Sequence, residues 1–180
     1  MNVLRSLKYG YLAYFSKPVC DRLLVRTVHK RKPQRIVQLG IGLGERTRRV
    51  FEIALWHHAP ETMRFVGIDL FEARNGDTPG MTLKQAHAML KPSGIKVQLV
   101  PGDPLSALMR TANTIPGNDL LLVTADQDPD SLTQAWFFVP RILHPQSLVL
   151  LETAHGWQTL QAADIERLAS ASPRAQRRAA

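Results

Sequence analysis

The sequence has almost no cysteine: Cys20 stands alone among 180 residues. One thiol permits no internal disulfide and no cysteine-based metal cluster. No apolar run approaches the roughly 20 residues that a membrane-spanning helix needs. No two histidines lie four apart, which removes the helical zinc-site spacing. There is no internal repeat. Acids are scarce at the start: residues 1–35 hold nine Lys/Arg and one acid, Asp21. The whole formal charge of +8 sits there, and the remainder balances 14 bases against 14 acids. Residues 7–15 are interrupted by Lys8 and show no small-residue cleavage site, so no cleaved leader is expected. A cytoplasmic location is the default expectation. What remains is an ordinary globular composition, 44% apolar and 21% charged, enough for one domain with a real core.

Apolar spacing predicts two amphipathic helices, over 2–16 and from Pro18 to about 30, forming a basic N-terminal arm or lid at 1–33. Such an arm suits phosphates, anionic lipid or an acidic partner, or serves as a solvated helix face. From 34 to 169 the pattern alternates. Strands are expected at 35–39, 64–69, 96–100, 119–124 and 147–152. Helices are expected at 44–58, 81–91, 104–113, 130–143 (kinked at Pro140) and 158–169. The loop 72–80 is rich in Gly, Asn, Asp and Pro. Residues 170–180 read as a disordered tail. Near-continuous apolar strands between helices mean an α/β fold: a doubly wound, Rossmann-like three-layer sandwich with a mainly parallel sheet. Five strands in the order 3-2-1-4-5 are expected. Strand 5 would then be an open edge unless the last helix or a second copy covers it, which suggests a possible homodimer.

The densest signal is the segment 35–44, Arg-Ile-Val-Gln-Leu-Gly-Ile-Gly-Leu-Gly. A buried strand runs into glycines at 40, 42 and 44, and a helix opens straight after. Glycine lets backbone approach a ligand, and a helix start offers free N–H groups. Asp69 ends the second strand, where a carboxylate can accept from a ribose diol. A dinucleotide fingerprint needs a third glycine where Glu45 stands, so a nicotinamide cofactor is disfavoured.

The order of these signals resembles the class I S-adenosylmethionine-dependent methyltransferases across about residues 18–155. The resemblance implies S-adenosylmethionine as cofactor. It would be held by Gln38, by Gly40, Gly42 and Gly44 along the methionine part, by Asp69 at the ribose and Asp103 at the adenine amino group, with Leu70 and Gly102 beside them. The nearest likeness is to small-molecule O-methyltransferases of the catechol and caffeoyl type, which bind a divalent metal at the ends of strands 4 and 5. The matching positions here are Thr124, Glu152 and Thr153. Hard cations want several carboxylates, so no metal is expected, with Asp126 and Asp128 as weak alternative ligands. Gln38 stands where the family usually carries an acid.

The implied activity is methylation of a small molecule, at oxygen and without metal. A hydroxyl acceptor needs a base, and the candidates are His155, Asp126 and Glu152. His155 attracts attention because histidine titrates near neutrality. A degenerate binding module, or an RNA methyltransferase using the basic arm, are the alternatives. Nucleic acid is not favoured, because no amine-methylation segment of the Asn-Pro-Pro-Tyr kind follows strand 4.

Overall fold

The computed structural model describes residues 3–74 and 79–179, with side chains to 176. Part of the expected 72–80 loop, residues 75–78, lies outside the described residues. Two N-terminal helices, α1 (Val3–Tyr14) and α2 (Asp21–Arg31), precede the first strand. Strand and helix then alternate: β1 (Arg35–Leu39), α3 (Glu45–Ala54), β2 (Arg64–Asp69), α4 (Leu83–Leu90), β3 (Lys96–Pro101), α5 (Pro104–Thr111) and β4 (Asn118–Val123). After β4 come α6 (Pro129–Ala135), α7 (Val139–Ile142), β5 (Leu143–Thr153), β6 (Gly156–Leu160), α8 (Ala162–Ala171) and α9 (Pro173–Ala179).

The sheet runs β3-β2-β1-β4-β5-β6. The first five strands are parallel, and β6 is antiparallel to β5. Side chains alternate between two cores. Ile36, Leu120, Leu122 and Leu150 face the α1–α4 layer with Leu24, Val25 and Val28. Val37, Leu39, Leu121, Val123 and Val149 face the α5–α8 layer with Leu108, Ile142 and Ile165. Each fully buried aliphatic side chain contributes about 1.5–3 kcal/mol. This is the expected three-layer sandwich, with six strands in place of five.

The extra strand has a clear cause. Gly156-Trp-Gln-Thr-Leu160 is extended, with Trp157 buried and Gln158 and Thr159 exposed. A two-residue turn, Ala154-His155, folds it back onto β5, with Gly156 at φ 109°. The helix expected from 158 therefore starts only at Ala162. Because β6 covers β5, the reason for expecting a second copy along that edge is gone. Three other expectations are corrected. The 130–143 helix breaks at Trp136–Phe138, and Pro140 sits in the first turn of α7. The tail carries α9, behind a fully buried Ser172. Residues 1–33 are not a separate arm throughout, since α2 buries Leu24, Val25 and Val28 against the sheet.

Candidate functional site

The β1–α3 loop stands at the carboxyl edge of the sheet, and its three glycines face three different surroundings. A side chain on Gly40 (φ 86°) would overlap Thr124 Oγ1 and crowd Asp126 and Gln127, so this glycine lets the end of β4 close onto the loop. Gly42 (φ 59°) would meet nothing within 4 Å. It is the one that leaves open space above the backbone, where a ligand can lie. Gly44 abuts Met81 and Met89 and begins α3. Gln38, wholly buried, braces the loop from below. Its amide nitrogen donates to the Gly40 carbonyl (2.6 Å), and its amide oxygen accepts from Thr47 (3.0 Å). Gln38 thus supports the loop.

Asp69 ends β2 as expected, but its carboxylate is already taken. It accepts from the backbone N–H groups of Ile41 (2.6 Å), Gly42 (3.0 Å) and Phe71 (2.9 Å). Arg74 adds two parallel bonds, Nε to Oδ1 at 2.8 Å and Nη2 to Oδ2 at 2.6 Å. The third guanidinium nitrogen, Nη1, reaches Asp126 at 3.0 Å. The pair is sealed, with Arg74 8% and Asp69 2% exposed along their side chains. Burial opposes the Asp69 charge, yet the Arg74 and backbone bonds prevail and hold the carboxyl below its ordinary range. Phe71 takes φ 49° to aim its N–H at Asp69. A non-glycine residue there costs about 1–2 kcal/mol, and such strain clusters at functional sites. Leu70, 38% exposed, sits beside this knot as a surface apolar side chain.

At the end of β3, Gly102 (φ 132°) leads into Asp103, the N-cap of α5. Asp103 Oδ1 accepts from the Leu105 (3.0 Å) and Ser106 (3.1 Å) N–H groups and from the Ser131 hydroxyl. Burial pushes its carboxyl up, but hydrogen bonding from the Ser106 and Ser131 side chains and from backbone N–H groups more than offsets it and brings it down to about 2.

Beside the glycine loop opens a cleft of about 370 Å³. It is lined by the loop, the end of β4, Glu152, Pro18 from the turn between α1 and α2, and Asp21 and the arginines of α3. Asp69, Leu70, Gly102 and Asp103 are not among its walls. The floor is a charge network. Arg46 grips Glu152 through two bonds (2.9 and 2.8 Å), reaches Asp21 at 3.0 Å and lies over the Trp157 ring at 5.1 Å. Arg49 also meets Asp21, at 3.3 Å. Glu152 accepts in addition from the Ala125 N–H (3.1 Å).

Of the three expected bases, Asp126 and Glu152 line this cleft and His155 does not. His155 sits exposed in the β5–β6 turn. Asp126 is held by Arg74, Gln127 and the Thr124 hydroxyl, which overcome its burial and keep its carboxyl low. The Thr124 hydroxyl lies within hydrogen-bond reach of both the Leu39 carbonyl and Asp126, and the Thr153 hydroxyl donates to the Gly156 carbonyl. Asp128 caps α6 through the Ser131 N–H at 2.7 Å. These oxygens are engaged in hydrogen bonds within the fold.

Sequence reasoning missed Arg74, Arg46 and Asp21. Arg46 had a signal: a cation in the first turn of a helix opposes the helix dipole, which calls for a compensating partner. Asp21 had another, as the lone acid among nine bases. Arg74 had none, because its five-residue offset from Asp69 spans an irregular turn.

The same fold occurs in solved methyltransferases. An O-methyltransferase of tomaymycin synthesis from Streptomyces achromogenes, in complex with S-adenosylmethionine, matches at TM-score 0.56 and 17% identity, over 84% of this chain and 65% of that one. An O-methyltransferase from Bacillus cereus in complex with S-adenosylhomocysteine matches at TM-score 0.55 and 15% identity, over 83% and 63%. A putative O-methyltransferase from Klebsiella pneumoniae matches at TM-score 0.55 and 17% identity, over 94% and 78%. The chain spans under two thirds of the length of the Streptomyces and Bacillus proteins. No family model and no curated protein matches the sequence. The fold is that of the class I O-methyltransferases.

Proposed function

We propose that the chain binds S-adenosylmethionine and directs its methyl group to an oxygen of a small molecule, without a divalent metal of the catechol type. The observation that carries this reading is the open space over Gly42, at the crest of a methyltransferase-type sheet and at the mouth of a 370 Å³ cleft. When bound, S-adenosylmethionine supplies an electrophilic methyl group on a positively charged sulfonium.

The residues fit that cofactor on one condition. The cleft walls carry four carboxylates (Asp21, Glu45, Asp126 and Glu152) against two guanidiniums (Arg46 and Arg49), a net negative lining suited to a sulfonium. This offsets the charge missing at Gln38. Asp103 and Leu70 lie outside the cleft walls, and in this reading they would meet the adenine end of the cofactor beyond the cleft. The condition is Arg74. Its two parallel N–H groups occupy the Asp69 acceptor positions that a ribose diol would use, so it must swing away. The same movement would release Asp126. That carboxylate then becomes the base candidate for a hydroxyl acceptor, its affinity for protons rising as the neighbouring cation leaves. Glu152 serves as the holder of Arg46. Most of the rate would come from alignment of donor and acceptor in a shielded cleft.

A second reading, a domain that binds without turnover, draws on the pairing of Asp126, Glu152 and Asp21 with arginine. Titration calorimetry with S-adenosylmethionine and S-adenosylhomocysteine tests the binding claim. Absence of heat with both the parent chain and Arg74→Ala at millimolar ligand refutes it. Binding without a methylated product from a broad panel of hydroxyl acceptors, read by mass spectrometry, selects the second reading.

A further inference from the structure

Helix α1 is amphipathic in an unusual sense: its outward face is apolar too. The inward side places Leu12 and Ala13 in the core, with Tyr9 packed alongside. The opposite side carries Val3, Leu7, Tyr11, Tyr14 and Phe15, and Val19 extends the ridge into the turn before α2. These side chains are exposed: Leu7 67% and Phe15 72%. A contiguous apolar patch of this kind on a soluble fold marks an interaction surface.

The charges around the ridge identify what it meets. Lys17 lies between Phe15 and Val19, and the Arg26 guanidinium stands 5.9 Å from the Tyr14 ring. The acids facing this region are engaged elsewhere: Glu52 pairs with Lys8, and Asp21 is buried against Arg46 and Arg49. Like charge of this density opposes pairing of two copies along the ridge. An apolar ridge with aromatic side chains and a cationic rim complements an anionic bilayer, where rings settle at the headgroup level and lysines meet lipid phosphates. We propose that α1 and the turn 15–19 form a peripheral docking face for anionic membranes, with Leu7, Tyr11, Phe15 and Val19 entering the interface. Pro18 in the same turn lines the cleft, so docking would bring the cleft mouth to the lipid surface. The proposal does not depend on methyl transfer.

Flotation of the whole chain with vesicles tests it, using phosphatidylcholine alone and phosphatidylcholine with phosphatidylserine at about 3:1. The chain should float with the anionic vesicles at low salt and be released by high salt. The double variant Leu7→Ser/Phe15→Ser should lower partitioning about tenfold or more. Lys17→Glu/Arg26→Glu should lower it about fivefold per charge or more. All four positions are exposed, so thermal unfolding should be unchanged. No flotation at low salt overturns the proposal, as does undiminished flotation of the Leu7/Phe15 variant. Two further outcomes also overturn it by naming another partner. One is sedimentation showing a dimer that this variant dissolves, with no vesicle binding. The other is salt-sensitive binding to single-stranded RNA, with none to vesicles.

Discussion

Arg74 occupies Asp69 in the manner of a ligand. Two parallel nitrogens, 2.8 and 2.6 Å from the two carboxylate oxygens, present the donor pair that a ribose diol would present. A third nitrogen ties the same guanidinium to Asp126 across the loop. The carboxylate at the end of β2 therefore faces the crest of the sheet, but the chain itself fills the place. Any nucleoside binding has to compete with this internal contact, and its apparent affinity is lowered by the fraction of molecules in which Arg74 stays in place.

Replacing Arg74 separates the two roles. Asp69 keeps its three backbone donors in Arg74→Ala, so the fold should survive with a loss of about 3 kcal/mol. Affinity for S-adenosylhomocysteine should rise by about tenfold, because one to two competing hydrogen bonds are removed. Calorimetric titration beside a thermal melt reads both. Unchanged or weaker affinity would show that Arg74 shapes the site and does not block it.

The glycines give a paired prediction. Gly40→Ala places a methyl on Thr124 Oγ1 in a left-handed backbone, and should unfold or severely destabilise the chain. Gly42→Ala meets no neighbour. It should cost about 1–2 kcal/mol from its positive φ, and the new methyl should project into the open space over the loop. Cofactor affinity should then fall about tenfold or more while the melt remains cooperative. Equal stability losses in the two variants would refute the different roles assigned to these glycines.

The sheet was legible in the sequence because its signals are local. Val37, Leu39, Leu121 and Val123 lie in short apolar runs bounded by turns, and the ends of β1 and β2 fall where those runs end. The glycine loop and the strand-terminal Asp69 were legible for the same reason. β6 was missed because Trp157 and Leu160 also fit a helical spacing, and only pairing with β5 decides between the periods. The occupancy of Asp69 was not legible at all. Arg74 reaches it through a turn whose geometry depends on Phe71 adopting a left-handed backbone, which no residue type announces. Likewise Arg46 finds Glu152 only once α3 and β5 are brought side by side.

Asp103 supplies a pH prediction. Its carboxyl lies at about 2 in the folded chain against an ordinary 3.8, so the unfolded state binds the proton more readily. The stabilisation it provides is complete above about pH 4 and disappears as pH falls towards 2. Asparagine caps a helix as well as aspartate does. Asp103→Asn should therefore match the parent at neutral pH and lose less stability on acidification, as measured by denaturant midpoints across that range. A parallel acid decline in both proteins would contradict the hydrogen-bond account of Asp103.

The two cleft carboxylates should behave differently when neutralised. Asp126 is held by Arg74, the arginine that the proposed cofactor would displace, whereas Glu152 is held by Arg46, which lies between Asp21 and Trp157. Asp126→Asn should lower turnover of a hydroxyl acceptor by about 100-fold or more, the range for loss of a general base. It should also weaken the hold on Arg74 and so leave cofactor affinity unchanged or improved. Glu152→Gln should instead destabilise the chain by about 1–3 kcal/mol, since Arg46 keeps Asp21 but loses its paired carboxylate. The shape of its pH–rate profile should stay that of the parent. A profile that loses its acid limb in Glu152→Gln and keeps it in Asp126→Asn would reverse the two assignments, making Glu152 the base and Asp126 the residue that holds Arg74.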